Sequence, residues 1–371
     1  MDIRMPSLKL SATLSVYFAK QFTMYVLCMF IAITAVVYLV DTIELLRRFA
    51  SKDNLNVLLV IKMAALKAPE ISQKIFPFSV LFGSTMFFTK MVKNKEFTAA
   101  QSSGQSIWQF LLPTLFVVIL LGFFWISVFN PVSSVMTAKY ETIENTALRN
   151  KGNALSVSSG GLWIRENIDT GHSILHSRSI SENGEILSSV TIFIFDHDDN
   201  FNSRIDAKTA KLIPGYWELE QPIFISRDGI PLKKENSMLP TQFTPNNIQD
   251  SFASPATMSF WDLPEFISLL ENTGFSAVKH RLHWHSLLAS PLLLCAMVLI
   301  AATFSLRTGR RSSNLTWVLT SLFFGFFLYF MTDLVYALGL SSRIPEVLAA
   351  WTPAIVTILL GAASLIHIED G

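Results

Sequence analysis

Residues 107–129 read IWQFLLPTLFVVILLGFFWISVF, an apolar run without a charged side chain. A helix needs about 20 such residues to cross the hydrocarbon core of a bilayer, so the run predicts a membrane span. It ends at Asn130-Pro131, and the mostly polar residues 132–283 follow. The run therefore marks the point where the chain leaves the membrane for an extramembrane domain.

Five further apolar runs lie on either side of this transition. Two precede it, at 21–40 and 55–89, and three follow the polar stretch, at 284–306, 315–338 and 347–367. The chain is 51% hydrophobic and 15% charged, whereas about 25% of the residues in a soluble domain are charged. No small-residue cleavage site follows the first run, so we interpret it as a retained span. The sequence predicts a membrane α-helical bundle of six transmembrane helices.

Lysine and arginine residues in the short loops predict the orientation. If the N terminus is internal, the inner segments contain Arg4, Lys9, Lys20, Lys90, Lys93, Lys95, Arg307, Arg310 and Arg311. The short outer loops then contain only Arg47, Arg48, Lys52 and Arg343. Cytoplasmic loops are enriched in these residue types. We therefore expect both termini in the cytoplasm and the insert outside, in the periplasm of a Gram-negative bacterium.

Alternating polarity in the insert predicts β-strands. Apolar and polar residues alternate in five stretches: 162–165, 173–180, 186–195, 203–212 and 223–226. Turn formers such as Pro214-Gly215 and Asp228-Gly229 separate them. Many short strands with frequent turns predict an antiparallel all-β domain, which is a sandwich, a jelly roll or an open barrel.

These patterns divide the chain into four parts. The N-terminal membrane half covers 1–130 with helices 1–3, and the periplasmic β-jelly-roll domain, inserted between helices 3 and 4, covers 131–259. A connector helix covers 260–280, because Asp262 suits a helix cap and Pro264 suits a first turn. The C-terminal membrane half covers 281–371 with helices 4–6. The connector either transmits movement or is a passive spacer.

One predicted strand is apolar on both faces. It contains Ile192, Phe193, Ile194 and Phe195 in succession. A strand with one face in water alternates instead between apolar and polar residues. Either this is a central strand of the core, or the interior of the sheet accepts an apolar ligand.

The loop between the second and third runs has a distinctive pattern. Residues 93–104 read KNKEFTAAQSSG, which predicts a short amphipathic helix with Glu96 in its first turn and Gly104 at its end. A helix of this form on the cytoplasmic face suits docking of another protein. The alternative is an interfacial turn that keeps the lysines at the lipid headgroups.

The sequence shows no set of catalytic residues or metal ligands. It lacks the glycine-rich loop with Lys-Ser/Thr that binds nucleotide phosphates. Two groups of histidines lack the spacing of a zinc site on one helix face: His280, His283 and His285, and His172 with His176. A net charge of +1 argues against a nucleic-acid partner. We therefore expect a non-enzymatic chain that itself binds no metal or cofactor.

Four stretches together resemble one family. Residues 95–104 combine an acidic residue, an apolar residue, small residues and a terminal glycine; residues 40–48 read VDTIELLRR, residues 160–163 read GGLW, and the block 266–281 precedes the fourth run. In this order, and over nearly the whole chain, they resemble the LptF/LptG (YjgP/YjgQ) permease family of the lipopolysaccharide export ABC transporter. The stretch DTIE and the block 266–281 resemble LptG more than LptF.

The resemblance implies a half-transporter that depends on a partner ATPase for its energy. It would pair with a paralogous LptF-like six-span permease and with a cytoplasmic dimer of an LptB-like ATPase. That ATPase, rather than this chain, would bind ATP and Mg²⁺. Together they would extract lipopolysaccharide from the inner membrane and pass it through β-jelly-roll domains to LptC-like and LptA-like periplasmic bridge components.

The resemblance also implies roles for individual residues. The loop that couples to the ATPase would comprise Glu96, Phe97, Ala99, Ser102 and Gly104, with Glu96 pairing with a basic residue of the ATPase. The lipopolysaccharide phosphates would contact cations near the outer face: Arg47, Arg48, Lys62 and Lys139. Alternatively, these cations are ordinary interfacial anchors. The acyl chains would slide along Ile192, Phe193, Ile194 and Phe195, since burial there replaces burial in the bilayer.

Two rival classes remain open at the level of sequence. One is a self-contained, membrane-anchored periplasmic binding or signalling module, but its cytoplasmic segments are too short for an output domain. The other is a secondary transporter, which would place ionisable residues deep in its spans and break helices in corresponding positions. The third, fourth and sixth runs have nearly clean interiors, which disfavours that class.

Overall fold

The fold is taken from a computed structural model of the chain. It describes residues 12–50, 57–102, 106–144, 154–158, 161–168, 171–180, 186–196, 200–226, 229, 231–241, 243, 254–272, 276–306 and 314–370. The chain divides into two compact units. One comprises Met1–Tyr140 with Leu282–Gly371, and the other comprises Glu141–Arg281.

The first unit is a helical bundle. Its long helices are α1 (Ala12–Ala50), α2 (Val57–Lys93), α4 (Ile107–Phe124), α7 (Val278–Ser305), α8 (Asn314–Leu340) and α9 (Glu346–Asp370), and α3 (Glu96–Ser102) is a short helix after α2. The third span continues from α4 through a π-helical turn into α5 (Asn130–Glu144). Six helices of the described chain are long and apolar enough to cross a bilayer, which confirms the six predicted spans.

Small residues allow α1, α2 and α8 to pack closely. A Cβ atom added to Gly83 of α2 would lie 2.7 Å from the Cα atom of Val26 on α1, so only glycine permits this approach. On the other side of α2, the hydroxyl oxygen of Thr85 lies 3.2 Å from that of Ser321 on α8, and both residues are buried. Such small and hydroxylated residues drive helix association where lipid removes the hydrophobic driving force.

The third span passes through Asn130-Pro131 without ending there. Residues Trp125–Phe129 form a single π-helical turn, and the N–H of Asn130 donates to the carbonyl oxygen of Trp125. Trp125 stacks on Phe76 of α2 at 3.9 Å between ring centroids and on Phe129 at 4.0 Å. The helical axis therefore extends to Glu144, beyond the predicted domain boundary at residue 130.

The second unit contains nine strands in one antiparallel sheet. They are β1 (Ala154–Ser158), β2 (Gly161–Ile168), β3 (Gly171–Ile180), β4 (Ile186–Phe195), β5 (Phe201–Ile213), β6 (Tyr216–Glu220), β7 (Ile223–Ser226), β8 (Pro231–Lys233) and β9 (Asn236–Pro240). Their order is β1-β2-β3-β4-β5-β6-β9, while β7 pairs with β5 and β8 pairs with β7. The predicted all-β insert between the third and fourth spans is confirmed.

The sheet buries one face around Trp217. The buried side chains Leu175, Ile192, Ile205 and Leu219 come from neighbouring strands and share this core. The carboxylate of Glu166, also buried, accepts a hydrogen bond of 2.9 Å from the hydroxyl of Thr241. That bond compensates part of the cost of burying a charged group.

A short helix follows the sheet in the same unit. Helix α6 (Leu263–Asn272) begins directly after Asp262, as the sequence predicts, and buries Leu263, Ile267 and Leu270. The hydroxyl of Ser259 donates to Asp262 Oδ2 at 2.5 Å, which stabilises the turn before the helix. At the end of the unit Arg281 forms a 3.0 Å ion pair with Glu271.

Candidate functional site

The loop between α2 and α4 folds into the short helix that the sequence predicts. Lys95 adopts a left-handed conformation (φ 58°), which turns the chain after α2, and its carbonyl oxygen accepts from the N–H of Ala99. Helix α3 then runs from Glu96 to Ser102. The next span begins at Ser106, which forms a capping box with Gln109. Gly104 lies outside the described residues.

One aromatic side chain anchors this helix to the bundle. Phe97 is buried and packs edge-on against Phe110 of α4, with 5.5 Å between ring centroids. Phe110 in turn contacts Phe18 of α1 at 4.2 Å. Helix α3 is therefore connected through these aromatic contacts to two spans, α4 and α1.

The opposite side of α3 is available to a partner. Thr98, Ala99, Gln101 and Ser102 are exposed, and Glu96 is half-buried. Glu96 Oε1 accepts from the side-chain amide of Asn94 at 3.0 Å, which orients the carboxylate at the start of the helix. The sequence-predicted residues Glu96, Ala99 and Ser102 thus lie on one short helix that Phe97 fixes to the bundle.

The two arginines at the C-terminal end of α1 are already paired. Arg48 Nη2 lies 3.0 Å from Glu44 Oε1, and Arg47 Nη2 lies 3.4 Å from Glu44 Oε2. The Arg47 and Arg48 side chains are 78% and 50% exposed, so solvent weakens both pairs. A phosphate that binds here would compete with Glu44.

A more buried ion pair lies nearby in the chain and was not predicted as such. Lys67 Nζ of α2 lies 2.6 Å from Asp41 Oδ1 of α1, and both side chains are mostly buried. The ammonium group also lies 5.8 Å from the centre of the Tyr140 ring. These contacts join the first, second and third spans. The sequence shows only that Asp41 lies near a span end, because its partner is 26 residues away.

The other two predicted phosphate ligands are exposed lysines. Lys62 lies on α2 and Lys139 lies on α5. Within the described residues neither lysine forms an ion pair or hydrogen bond with the protein. Their charges are thus less compensated than those of Arg47 and Arg48.

The four apolar residues of β4 divide between the two faces of the sheet. Ile192 is fully buried, and it contributes with Leu175 and Trp217 to the inner face. Phe193 lies on the other face, where the Arg204 guanidinium lies 5.7 Å from its ring centre, and Phe195 stacks on His172 at 4.9 Å. Because side chains alternate along a strand, Ile194 shares the inner face with Ile192. Each face of the sheet therefore carries only two of these four residues.

The described residues include no group of three His, Cys, Asp or Glu side chains that would hold a metal ion. His280 is buried and packs against Phe266, with 5.0 Å between ring centroids. Of the two cysteines, Cys28 is exposed and Cys295 is buried within α7.

Comparisons with known proteins agree with the architecture. The model of one protein family, described as lipopolysaccharide export system permease LptF/LptG, matches residues 16–367 of the 371-residue chain. The chain is 22% identical over 347 residues to the lipopolysaccharide export system permease protein LptG of Escherichia coli (strain K12), which covers 89% of this chain and 91% of that relative. LptG of Haemophilus influenzae is 20% identical over 325 residues, covering 84% of this chain and 87% of the relative.

Proposed function

The chain belongs to the LptF/LptG family of lipopolysaccharide export permeases, and from this membership we propose that it extracts lipopolysaccharide from the inner membrane as one of two permease subunits of an ABC transporter. It is a multi-pass inner-membrane protein and a non-catalytic permease component. The observation that carries the proposal is the match of the family model to residues 16–367, which includes both membrane halves and the β domain.

The proposed partners supply what this chain lacks. A cytoplasmic ABC ATPase dimer (LptB-like) binds ATP and Mg²⁺, and an LptF-like permease completes the membrane assembly. LptC-like and LptA-like components accept lipopolysaccharide beyond the β domain. Both termini and α3 then face the cytoplasm, and the β domain lies in the periplasm. The lysines and arginines of the inner segments support this orientation.

Helix α3 is the proposed point of contact with the ATPase. Its exposed side offers small residues, Ala99 and Ser102, that permit close approach of another surface. The oriented Glu96 carboxylate offers a partner for a basic residue. The burial of Phe97 against Phe110 supports transmission of the movement into the first and third spans.

In the proposed lipid path, cations first contact the phosphate groups, and the β-sheet afterwards contacts the acyl chains. Lys62 and Lys139 are the better candidates for the phosphate groups, because neither forms an ion pair within the described residues, whereas Arg47 and Arg48 share Glu44 as a partner. Inner-face residues Ile192 and Ile194 are the better candidates for the acyl chains, because Ile192 lies in the buried core and Ile194 extends the same face at a partly exposed position. Each methylene moved out of the bilayer requires replacement burial of about 0.8 kcal/mol.

Purification from native membranes tests the assembly. The affinity-tagged chain is isolated in mild detergent, and mass spectrometry identifies what remains bound; an unrelated tagged six-span protein serves as the control. We expect an ABC-type ATPase, a second six-span permease and lipopolysaccharide. Recovery of the chain alone, or with an unrelated periplasmic protein, would instead support a self-contained binding or signalling module and would overturn the proposal.

A further inference from the structure

A cavity lies among α7, α8 and α9, and none of its lining residues is assigned to transport above. Its volume is about 410 Å³. The lining residues extend from Phe324 to Val335 on α8 and from Thr352 to Ser364 on α9, and none of the lining residues is charged. Phe327 and Leu360 line the cavity on α8 and α9, and both are exposed at the surface of the bundle. The cavity therefore adjoins that surface.

The dimensions of the cavity distinguish between possible occupants. The interval from Thr352 to Ser364 corresponds to about 18 Å along a helix axis at 1.5 Å per residue. A helix about 10 Å wide and 18 Å long occupies roughly 1,400 Å³. This is several times the cavity volume of about 410 Å³, so a transmembrane helix does not fit. A single hydrocarbon chain is narrow enough to fit, because its carbon atoms make van der Waals contacts at about 4 Å.

The length of the lined interval on α9 also matches the thickness of one leaflet. The hydrocarbon core of a bilayer is about 30 Å thick, so an acyl chain from either side reaches about 15 Å. The lined interval of α9 is of similar length, so it matches the reach of one acyl chain. A second chain of the same lipid would remain outside the cavity.

A buried polar side chain of α7, Thr303, lines the cavity. It is 7% exposed, and its hydroxyl has no hydrogen-bond partner among the described residues. Threonine populates two χ1 rotamers in a helix, so rotation exchanges the hydroxyl and the methyl group at the cavity wall. Thr303 is two residues from the end of α7, a helix of 28 residues. At about 42 Å this helix is longer than the hydrocarbon core, and its ends reach the interface where lipid esters lie.

We propose that this cavity binds one acyl chain of a membrane glycerophospholipid, whose ester carbonyl accepts a hydrogen bond from Thr303. The absence of charged lining residues disfavours selection of a multiply phosphorylated substrate here. The bound phospholipid fills the space between α7, α8 and α9. It is a structural component of the permease and is distinct from the lipid that is transported.

Photochemical labelling of the complete transporter in vesicles tests the site. The probe is a phosphatidylethanolamine with a diazirine in one acyl chain, and mass spectrometry locates the adducts. We expect adducts to concentrate on residues 324–335 and 352–364. Val356→Trp fills the cavity and should reduce this labelling at least fivefold. Leu359→Trp adds the same bulk to an exposed residue outside the lining, and should leave labelling unchanged.

A second variant keeps the packing and removes only the hydroxyl group. Thr303→Val should reduce labelling about threefold in protein that retains its normal size-exclusion profile. Equal labelling of all exposed helix faces, or no effect of either Val356→Trp or Thr303→Val, would overturn the proposal. So would displacement of the probe by equimolar lipopolysaccharide but not by excess unlabelled phospholipid. None of these readouts requires transport, so they separate this site from the proposed function.

Discussion

The ammonium nitrogen of Lys67 lies 2.6 Å from Asp41 Oδ1, and the pair joins α2 to α1 within the membrane unit. Removal of one partner leaves a mostly buried charge without compensation. Asp41→Asn should therefore destabilise the detergent-purified protein by about 2–4 kcal/mol, measured as lower resistance to thermal unfolding. The exchange Asp41→Lys with Lys67→Asp should restore most of the loss. If the double exchange is no better than Asp41→Asn, the pair does not contribute through its charges.

Glu96 allows a test of coupling. Glu96→Lys should abolish lipopolysaccharide export while insertion and stability remain normal, because the side chain lies at the start of a short helix on the bundle surface. Glu96→Gln retains an acceptor for Asn94 but loses the charge, so it should retain intermediate activity. Export in whole cells and recovery of the ATPase with the purified chain are the measurements. Normal export and normal ATPase recovery with Glu96→Lys would contradict the coupling role.

We predict that the exposed lysines Lys62 and Lys139 contribute more to lipopolysaccharide binding than Arg48, which is paired with Glu44. The double variant Lys62→Ala, Lys139→Ala should weaken lipopolysaccharide binding by roughly tenfold and make it less sensitive to salt, because charge-assisted bonds to phosphate are lost. Arg48→Ala should have a smaller effect, since this side chain already forms an ion pair with Glu44. Binding is measured with purified complexes at low and moderate ionic strength. An effect of Arg48→Ala as large as that of the double variant would contradict this ranking.

The two faces of β4 allow a matched pair of cross-linking positions. A photo-reactive amino acid at Ile194 should capture lipopolysaccharide when the assembled transporter hydrolyses ATP, because this position shares the inner face with Ile192. The same amino acid at the adjacent Phe193, on the face that carries Arg204, should capture little. Equal yields at the two positions, or a higher yield at Phe193, would place the lipid path elsewhere.

Close packing of α1 and α2 predicts a position-specific cost for alanine. Gly83→Ala directs a methyl group at the backbone of Val26, which yields only if α1 shifts. We expect a loss of about 1–3 kcal/mol of stability in detergent. At Gly325 the nearest atoms all belong to the Leu81 side chain and none to the backbone, so we expect Gly325→Ala to cost less. Thermal unfolding of both variants gives the comparison, and the reverse order would contradict it.

The periodicity of the sequence was sufficient to predict the layers of the fold. Long apolar runs predict spans because the bilayer fixes their length, and alternation predicts the strands of the insert because side chains alternate across a sheet. The short strands β1, β6, β8 and β9 were not predicted. Each has three to five residues, which leaves at most two repeats of the alternation, and strands of that length are often missed.

Features that depend on contacts distant in sequence were not predicted. The bond between Asp41 and Lys67 requires a specific rotation of α1 against α2, which hydropathy does not specify. Likewise, the run 192–195 predicts an apolar surface, but only the pairing of β4 with its neighbours shows that Ile192 and Phe193 lie on opposite faces. The extension of the third span past Pro131 was missed because proline normally ends a helix. Here a π-helical turn precedes it.

That π-helical turn, Trp125–Phe129, has a geometric consequence for the segment that follows. Each residue of an α-helix advances the direction of its side chain by about 100°. A π turn accommodates one residue more than the regular repeat, so α5 is out of angular phase with α4 by about that amount. The direction in which Lys139 and Tyr140 project from α5 therefore depends on the π-helical turn, which begins at the stacked Trp125. Loss or gain of one residue in this turn would rotate the whole of α5 about its axis by about 100°.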